Sequence, residues 1–281
     1  MGAARVRRVL AATDLSRYGN RAVGRAVRLA RQHGARVTVL CVAYPQADAD
    51  LLEQVRTRLA GLLRQYADGP EVDIGVRVGR VSPTITEERR RTGADLLAVG
   101  AHGAHRPADA LLGTTPENLV RSSRVPVLVV RLPPHDDYRT VMLAVDVTES
   151  SRAAAAYGLA LTPGAEHYAV HVCAVPGEHL LRIRGVGEER LAELRRAYLA
   201  EVRPDAERLV RSLAPLPPRL LVSTGAPATA VPELAGLHGA DLVVLGTGAR
   251  SKLEHAFLGS VAQHVMRRAP CDVLVVREGT G

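Results

Sequence analysis

Residues 94–131 read ADLLAVGAHGAHRPADALLGTTPENLVRSSRVPVLVVR, and residues 240–277 read ADLVVLGTGARSKLEHAFLGSVAQHVMRRAPCDVLVVR. The pairs Asp95/Asp241, Gly100/Gly246, Gly113/Gly259 and Val127/Val273 each stand 146 residues apart, so one segment is written twice without a gap. Each copy reads as an apolar strand, a glycine loop, a Gly-Thr or Gly-Ser step, a helix and a second apolar strand. A glycine loop that delivers the chain to a helix N-terminus suits a phosphate. The first-turn N–H groups there lack intrahelical partners, and the helix dipole favours an anion.

Upstream of the first copy, 8–13 (RVLAAT) reads as a strand. Asp14 follows it, and Ser16 is placed to cap a helix. That helix carries Ala22, Val23, Ala26, Val27, Leu29 and Ala30 as one apolar stripe and stops at Gly34. Strands are expected over 37–42 and 72–78. Between them a helix over 49–66 turns Leu51, Leu52, Val55, Leu59, Leu62 and Leu63 inward. A further helix opens at Ser82-Pro83, with proline in the first position, and Gly93 closes it. The second half repeats the plan: strand 141–145 before Asp146, helix 150–161, strands 169–175 and 220–223, helix 227–237, and strands 242–245 and 273–276. Strands alternating with helices predict an α/β fold with parallel, doubly wound sheets covered on both faces. The domains are expected at 1–133 and 138–281, on either side of a short linker with two prolines.

The halves differ in the middle. Asp14 and Asp146 are 132 apart and Gly34 and Gly164 are 130 apart, against 146 for the later landmarks. The second half therefore carries about 16 extra residues within 176–218. Helical patterns flank Pro204 in this insertion, which reads as a lid, a partner surface or a plain exposed excursion.

A chain of 281 residues is long enough for two cores of ordinary size. No run of apolar residues reaches membrane-spanning length, and the N-terminus lacks the pattern of a signal peptide. Cys41, Cys173 and Cys271 form no C-x-x-C pair, which points to buried thiols and a reducing cytoplasm. Trp is absent and Phe257 is the only phenylalanine, so the core must be Val, Leu, Ala and Ile. The net charge of +8 is uneven: residues 1–135 hold 21 Arg against 12 acids, and the remainder is nearly balanced. These arginines are not interleaved with aromatics as single-strand binders require. They read as solvated helix faces, and no nucleic-acid partner is expected.

Ligands of open α/β sheets bind beyond the carboxyl ends of the strands, where the strand order reverses. Asp14 ends the first strand and Gly100 the fourth. If these strands are neighbours, the carboxylate can accept from a ribose hydroxyl or an adenine amine. The backbone near Gly103, Gly113, Thr114 and Thr115 can then cradle phosphate. Read alone, Asp14 is equally an acid at a helix start. GTGARS at 246–251 lacks the third glycine of a dinucleotide fingerprint. There is no Walker A loop, no kinase signature and no nucleophile elbow. His102 with His105, and His167 with His171, lack a third ligand at metal spacing, and His171 reads as a strand histidine in the core.

Gly100-x-x-Gly103, nine residues, then Gly113-Thr114 resembles the nucleotide-binding pattern of the universal stress proteins. Thr115, Glu117 and Asn118 continue it, and Thr13, Asp14 and Ser16 match its opening. The resemblance spans nearly the whole chain, twice. It implies five-stranded parallel sheets of order 3-2-1-4-5 of the adenine-nucleotide α-hydrolase-like type, with ATP, with or without Mg2+, at the switch point. By position it implies Ala12, Asp14 and Val42 for the adenosine part and Gly100, His102, Gly103, Gly113, Thr114 and Thr115 for ribose and phosphates. In the second half Asp146, Val172, Gly246, Gly259, Ser260 and Val261 remain in place. Ala249 stands where the second glycine belongs, a strained choice if that position needs positive φ, and Gly248 can shift the turn by one residue. The first site is therefore expected to be the more secure.

The expected function is a stress-response sensor or regulator that binds ATP. Alternatives are a nucleotide-free interaction module with an internal pseudo-dimer, and a slow ATPase or a protein autophosphorylated on Thr114, Thr115 or Ser260. The apolar strands ending each half are expected to pair within one chain, giving a monomer with an internal pseudo-dimer; a homodimer is the other arrangement.

Overall fold

The computed structural model describes residues 6–66, 68–103, 112–213, 217–248 and 258–277. The first half runs β1 (Arg8–Ala12), α1 (Arg17–His33), β2 (Arg36–Ala43), α2 (Ala49–Leu63), β3 (Val72–Val78), α3 (Val81–Thr92), β4 (Leu96–Gly100), α4 (Thr114–Ser122) and β5 (Val127–Val130). The second runs β6 (Thr140–Ala144), α5 (Glu149–Leu161), β7 (Glu166–Cys173), α6 (Glu178–Ile183), α7 (Glu188–Arg211), β8 (Arg219–Thr224), α8 (Pro227–Leu237), β9 (Leu242–Gly246), α9 (Ser260–Arg268) and β10 (Asp272–Val276).

Among the described residues the strands form one sheet of order β3-β2-β1-β4-β5-β10-β9-β6-β7-β8. Each half is thus the expected 3-2-1-4-5 sheet, parallel throughout. The two expected sheets join edge to edge, because β5 and β10 pair antiparallel within the chain, Val129 opposite Val273 and Leu128 opposite Leu274. This pairing hides the edge strands that would otherwise present unpaired backbone groups. One apolar layer covers the α1 and α5 face and joins Val9, Leu128, Leu143 and Leu274. The other, beneath α4 and α9, joins Leu10, Val129, Met142 and Val273. Both layers run unbroken across the junction.

Helix ends follow the sequence signals closely. Ser16 accepts from Gly19 N–H at 3.1 Å, and Gly34 and Gly93 end their helices at φ +62°. Pro83, by contrast, is the third residue of α3, since Arg80 is the capping position. The N–H lost there is still one of the four without an intrahelical partner. The helix expected over 49–66 ends at Leu63 and tightens into a 3-10 turn. Only Leu59 is buried in it, and Leu51 is 46% exposed. The insertion is α6 with the long α7, which runs through Pro204 without a break rather than flanking it.

The basic excess of the first half has a partly internal use. Arg21, Arg25 and Arg28 form a row on α1, where residues three or four apart share a face. They donate to the linker carbonyls of Arg131 (2.5 Å), Asp136 (2.7 Å) and Pro134 (2.6 Å), and Arg28 also reaches His135. These three arginines are not the solvated face that the sequence suggested. Beside them Asp272, fully buried, accepts from Arg131 N–H (2.7 Å), Leu132 N–H (2.9 Å) and the Tyr138 hydroxyl (2.7 Å) and lies 3.5 Å from Arg25 Nε. Burial pushes the Asp272 carboxyl up, against these donors and the guanidinium, which hold it down.

Candidate functional site

β1 lies between β2 and β4, and β6 between β7 and β9. Strand order therefore reverses beside β1 and beside β6, and a crevice opens at the carboxyl end of each pair.

In the first half, Asp14 Oδ1 accepts from Ser16 N–H (3.0 Å) and the Ser16 hydroxyl (2.5 Å), so the carboxylate shapes the entry to α1. Leu15 between them is the one described non-glycine residue at positive φ, +63°. A Cβ on Gly103 would lie 3.0 Å from Asp14 Oδ2, which places the loop glycine against the carboxylate. A Cβ on Gly100 would lie 2.8 Å from the Tyr18 carbonyl oxygen, so only glycine lets β4 end this close to α1. Gly113 N–H donates to the Ala101 carbonyl at 2.8 Å and ties the start of α4 to the root of the loop. Thr114 and Thr115 occupy the first two positions of α4, and Pro116, the third, brings no N–H. His102 is 9% exposed, and its ring meets Tyr18 edge-on at 5.3 Å. Ala12 and Val42 stand half-buried at the same end of the sheet. His105 and Arg106 lie outside the described residues.

The second half repeats the framework. Asp146 Oδ1 accepts from Thr148 N–H (3.0 Å) and from the Thr148 hydroxyl, and Gly259 N–H donates to Thr247 O at 2.9 Å. Here a partly open cavity of about 450 Å³ lies at the switch point. All seven residues nominated from the sequence line it: Asp146, Val172, Gly246, Gly248, Gly259, Ser260 and Val261. Val170, Pro227 and Val231 add apolar wall, and among the described residues no Lys, Arg or His lines it. Among the described residues, backbone N–H groups and hydroxyls are what this wall offers an anion. Ser260, Val261 and Ala262 all carry an N–H in the first turn of α9, one more than α4 offers.

The strain expected at Ala249 presumes positive φ at that position, and its first-half counterpart Gly103 is not at positive φ. In the second half the left-handed residue is Gly248, at +69°, one position earlier; Ala249 and Lys252 lie outside the described residues. The sequence missed Ser150, which follows Asp146 by four residues and lines the cavity with its hydroxyl buried. No motif marks it, because its counterpart in the first half is Tyr18. Among the described residues no cluster of His, Cys, Asp and Glu could hold a metal. His171 is the expected core histidine, its Nδ1 3.0 Å from the Val145 carbonyl. Burial pushes the Cys271 thiol up to about 12 and raises those of Cys41 and Cys173. No described helix is long and apolar enough to cross a membrane.

The model of the universal stress protein family matches residues 5–131 and again 137–277. This chain belongs to the universal stress protein family. It is 27% identical to a universal stress protein of Mycobacterium tuberculosis over 92% of this chain and 96% of that one. A universal stress protein of Methanocaldococcus jannaschii is 31% identical over 50% of this chain and 83% of its own length, the extent of one half. Among solved structures, a universal stress protein of Archaeoglobus fulgidus matches 97% of this chain and 98% of its own at a TM-score of 0.66 and 20% identity, which supports the tandem fold.

Proposed function

We propose that this universal stress protein binds ATP or a related adenine nucleotide and acts as a nucleotide-dependent sensor or regulator. The observation that carries the reading is the cavity of about 450 Å³ lined by every second-half residue nominated for the ligand. Its volume falls within the roughly 300–1,000 Å³ of small-molecule sites. Val170, Val172, Pro227 and Val231 give an apolar slot for the base. Asp146 can accept from a sugar hydroxyl or an amine. Gly248, Gly259, Ser260 and Val261 offer backbone donors and a hydroxyl to phosphate at the positive end of α9. Asp14, Gly100, Gly103, Gly113, Thr114 and Thr115 repeat the arrangement in the first half.

Binding rather than turnover is favoured by the chemistry of the wall. Phosphoryl transfer is accelerated by cations and by a residue that positions the nucleophile, and the described wall has no Lys, Arg or His. Asp146 is its single carboxylate, so a Mg2+ ion would arrive with the nucleotide rather than occupy a prebuilt site. Purification, denaturation and analysis of released small molecules tests the reading. ATP or a related nucleotide is expected from the native chain and is expected to be lost from the Gly113→Val, Gly259→Val double variant. A native chain that releases none, and whose melting temperature is unmoved by millimolar ATP, would contradict it.

A further inference from the structure

The two halves repeat each other at Gly100/Gly246 and Gly113/Gly259 but not at the side chains around them. Where the first half has Tyr18 and His102, packed edge-on at 5.3 Å, the second has Ser150 and Gly248. The two arginines Arg17 and Arg21 lie over the Tyr18 ring at 5.3 and 5.0 Å, so large side chains gather at the first-half corner. The corresponding corner of the second half is part of the open cavity.

Ser150 stands in that corner as the second residue of α5. It is 7% exposed, and its Oγ has no hydrogen-bond partner among the described residues. Its neighbour Ser151 differs: that hydroxyl is engaged by the Asp146 carbonyl and by the Asp146 N–H at 3.1 Å. A buried hydroxyl left unpaired is costly, and such groups are rare in folded proteins. A Cβ on Gly246 would lie 3.0 Å from Ser150 Oγ, so the hydroxyl sits over the last residue of β9. Sheet order fixes what reaches it. Val172 lies on β7, Asp146 follows β6, and Gly246 ends β9 next in line. A nucleotide with its base on the β7 side and its phosphates at the start of α9 brings its sugar and first phosphate to this corner.

We propose that Ser150 is a ligand-contact residue of the second site, its hydroxyl donating to the ribose or the first phosphate of the bound nucleotide. At the first site Tyr18, packed edge-on against His102, stands in the place of this serine. The inference rests on the nucleotide reading above and makes the two sites chemically unequal.

Calorimetric titration of the full chain with ATP and with AMP tests it. The Gly259→Val variant first identifies which binding isotherm belongs to the second site. Ser150→Ala is expected to weaken that isotherm about tenfold for both nucleotides and to leave the other within twofold. Since the hydroxyl has no partner to lose, the ligand-free melting temperature of Ser150→Ala is expected to equal or exceed that of the native chain. Ser150→Thr, which restores the hydroxyl, is expected to recover part of the affinity. A second-site isotherm that Ser150→Ala leaves within twofold would overturn this inference while leaving the nucleotide reading standing. A ligand-free melting temperature lowered by several degrees would also overturn it, because the hydroxyl would then have a structural partner. If neither nucleotide binds the native chain, the reading beneath it fails as well.

Discussion

At the scale of single residues, Gly100 and Gly246 separate what sequence can and cannot tell. Both were legible as glycines that end a strand beneath a ligand. The reason they must be glycine was not, because it lies in α1 and α5, more than 80 residues away in each half. A methyl on Gly100 would press on the Tyr18 backbone at 2.8 Å. On Gly246 it would first meet the Ser150 hydroxyl at 3.0 Å, which can rotate away. Gly100→Ala is therefore expected to cost about 1–3 kcal/mol as an overpacked contact, and Gly246→Ala less, read as urea midpoints of the two variants. The positive φ at Gly248 shows the same limit. Spacing counts residues, whereas the turn is decided by which of them can adopt the left-handed conformation. Glu88 adds a pH dependence. Its carboxylate, 3% exposed, bonds Arg77 at 3.0 Å and Arg91 at 2.7 Å, and these bonds hold it below the usual glutamate range. A group depressed in the folded state binds its proton less readily there than in the unfolded chain. Its stabilisation is present above the ordinary glutamate pKa of about 4.3 and disappears as pH falls through the folded value. Denaturation of Glu88→Gln is expected to differ most from the native chain at neutral pH and to converge with it near pH 2–3.

At the scale of elements, the strands were the most legible part. β3 and β5 carry unbroken or alternating apolar residues between clear stops. α2 was less so. Its leucines suggested a broad inward face, but it packs over β3 near the edge of the sheet, where only Leu59 finds full cover. Asp272 was not read as part of β10, since a carboxylate in an apolar strand is understood only with its partners in view. Those partners, Arg25, Tyr138 and the N–H groups of Arg131 and Leu132, come from a helix of the other half and from the linker and its flanks. The repeat gave no hint, because Pro126 holds the equivalent position in the first copy. Removing one partner of a buried ion pair leaves the other uncompensated. Asp272→Ala is expected to cost about 3–5 kcal/mol, measured by equilibrium denaturation. A loss below about 1 kcal/mol, the ordinary worth of an exposed pair, would show that the cluster does not hold the halves together.

At the scale of the whole molecule, one sequence copy folds as one five-stranded sheet, and two copies share an edge through β5 and β10. Arg267 on α9 reaches Glu117 on α4 at 2.5 Å and adds a polar contact across the same junction. The pseudo-symmetry sets two crevices in one body, each at a switch point that the strand order creates. The sequence carried the glycine framework of both. It also carried one inequality, Ala249 against Gly103, but not the one that resides in Tyr18, His102 and Pro116 on one side and Ser150, Gly248 and Ala262 on the other. The central claim is that these crevices hold adenine nucleotide, and equilibrium dialysis of the nucleotide-stripped full chain against labelled ATP tests it most directly. At least one ATP per chain is predicted, reduced by Gly259→Val and abolished when Gly113→Val is added. Absence of saturable binding at millimolar ATP, or binding that survives both substitutions, would contradict it.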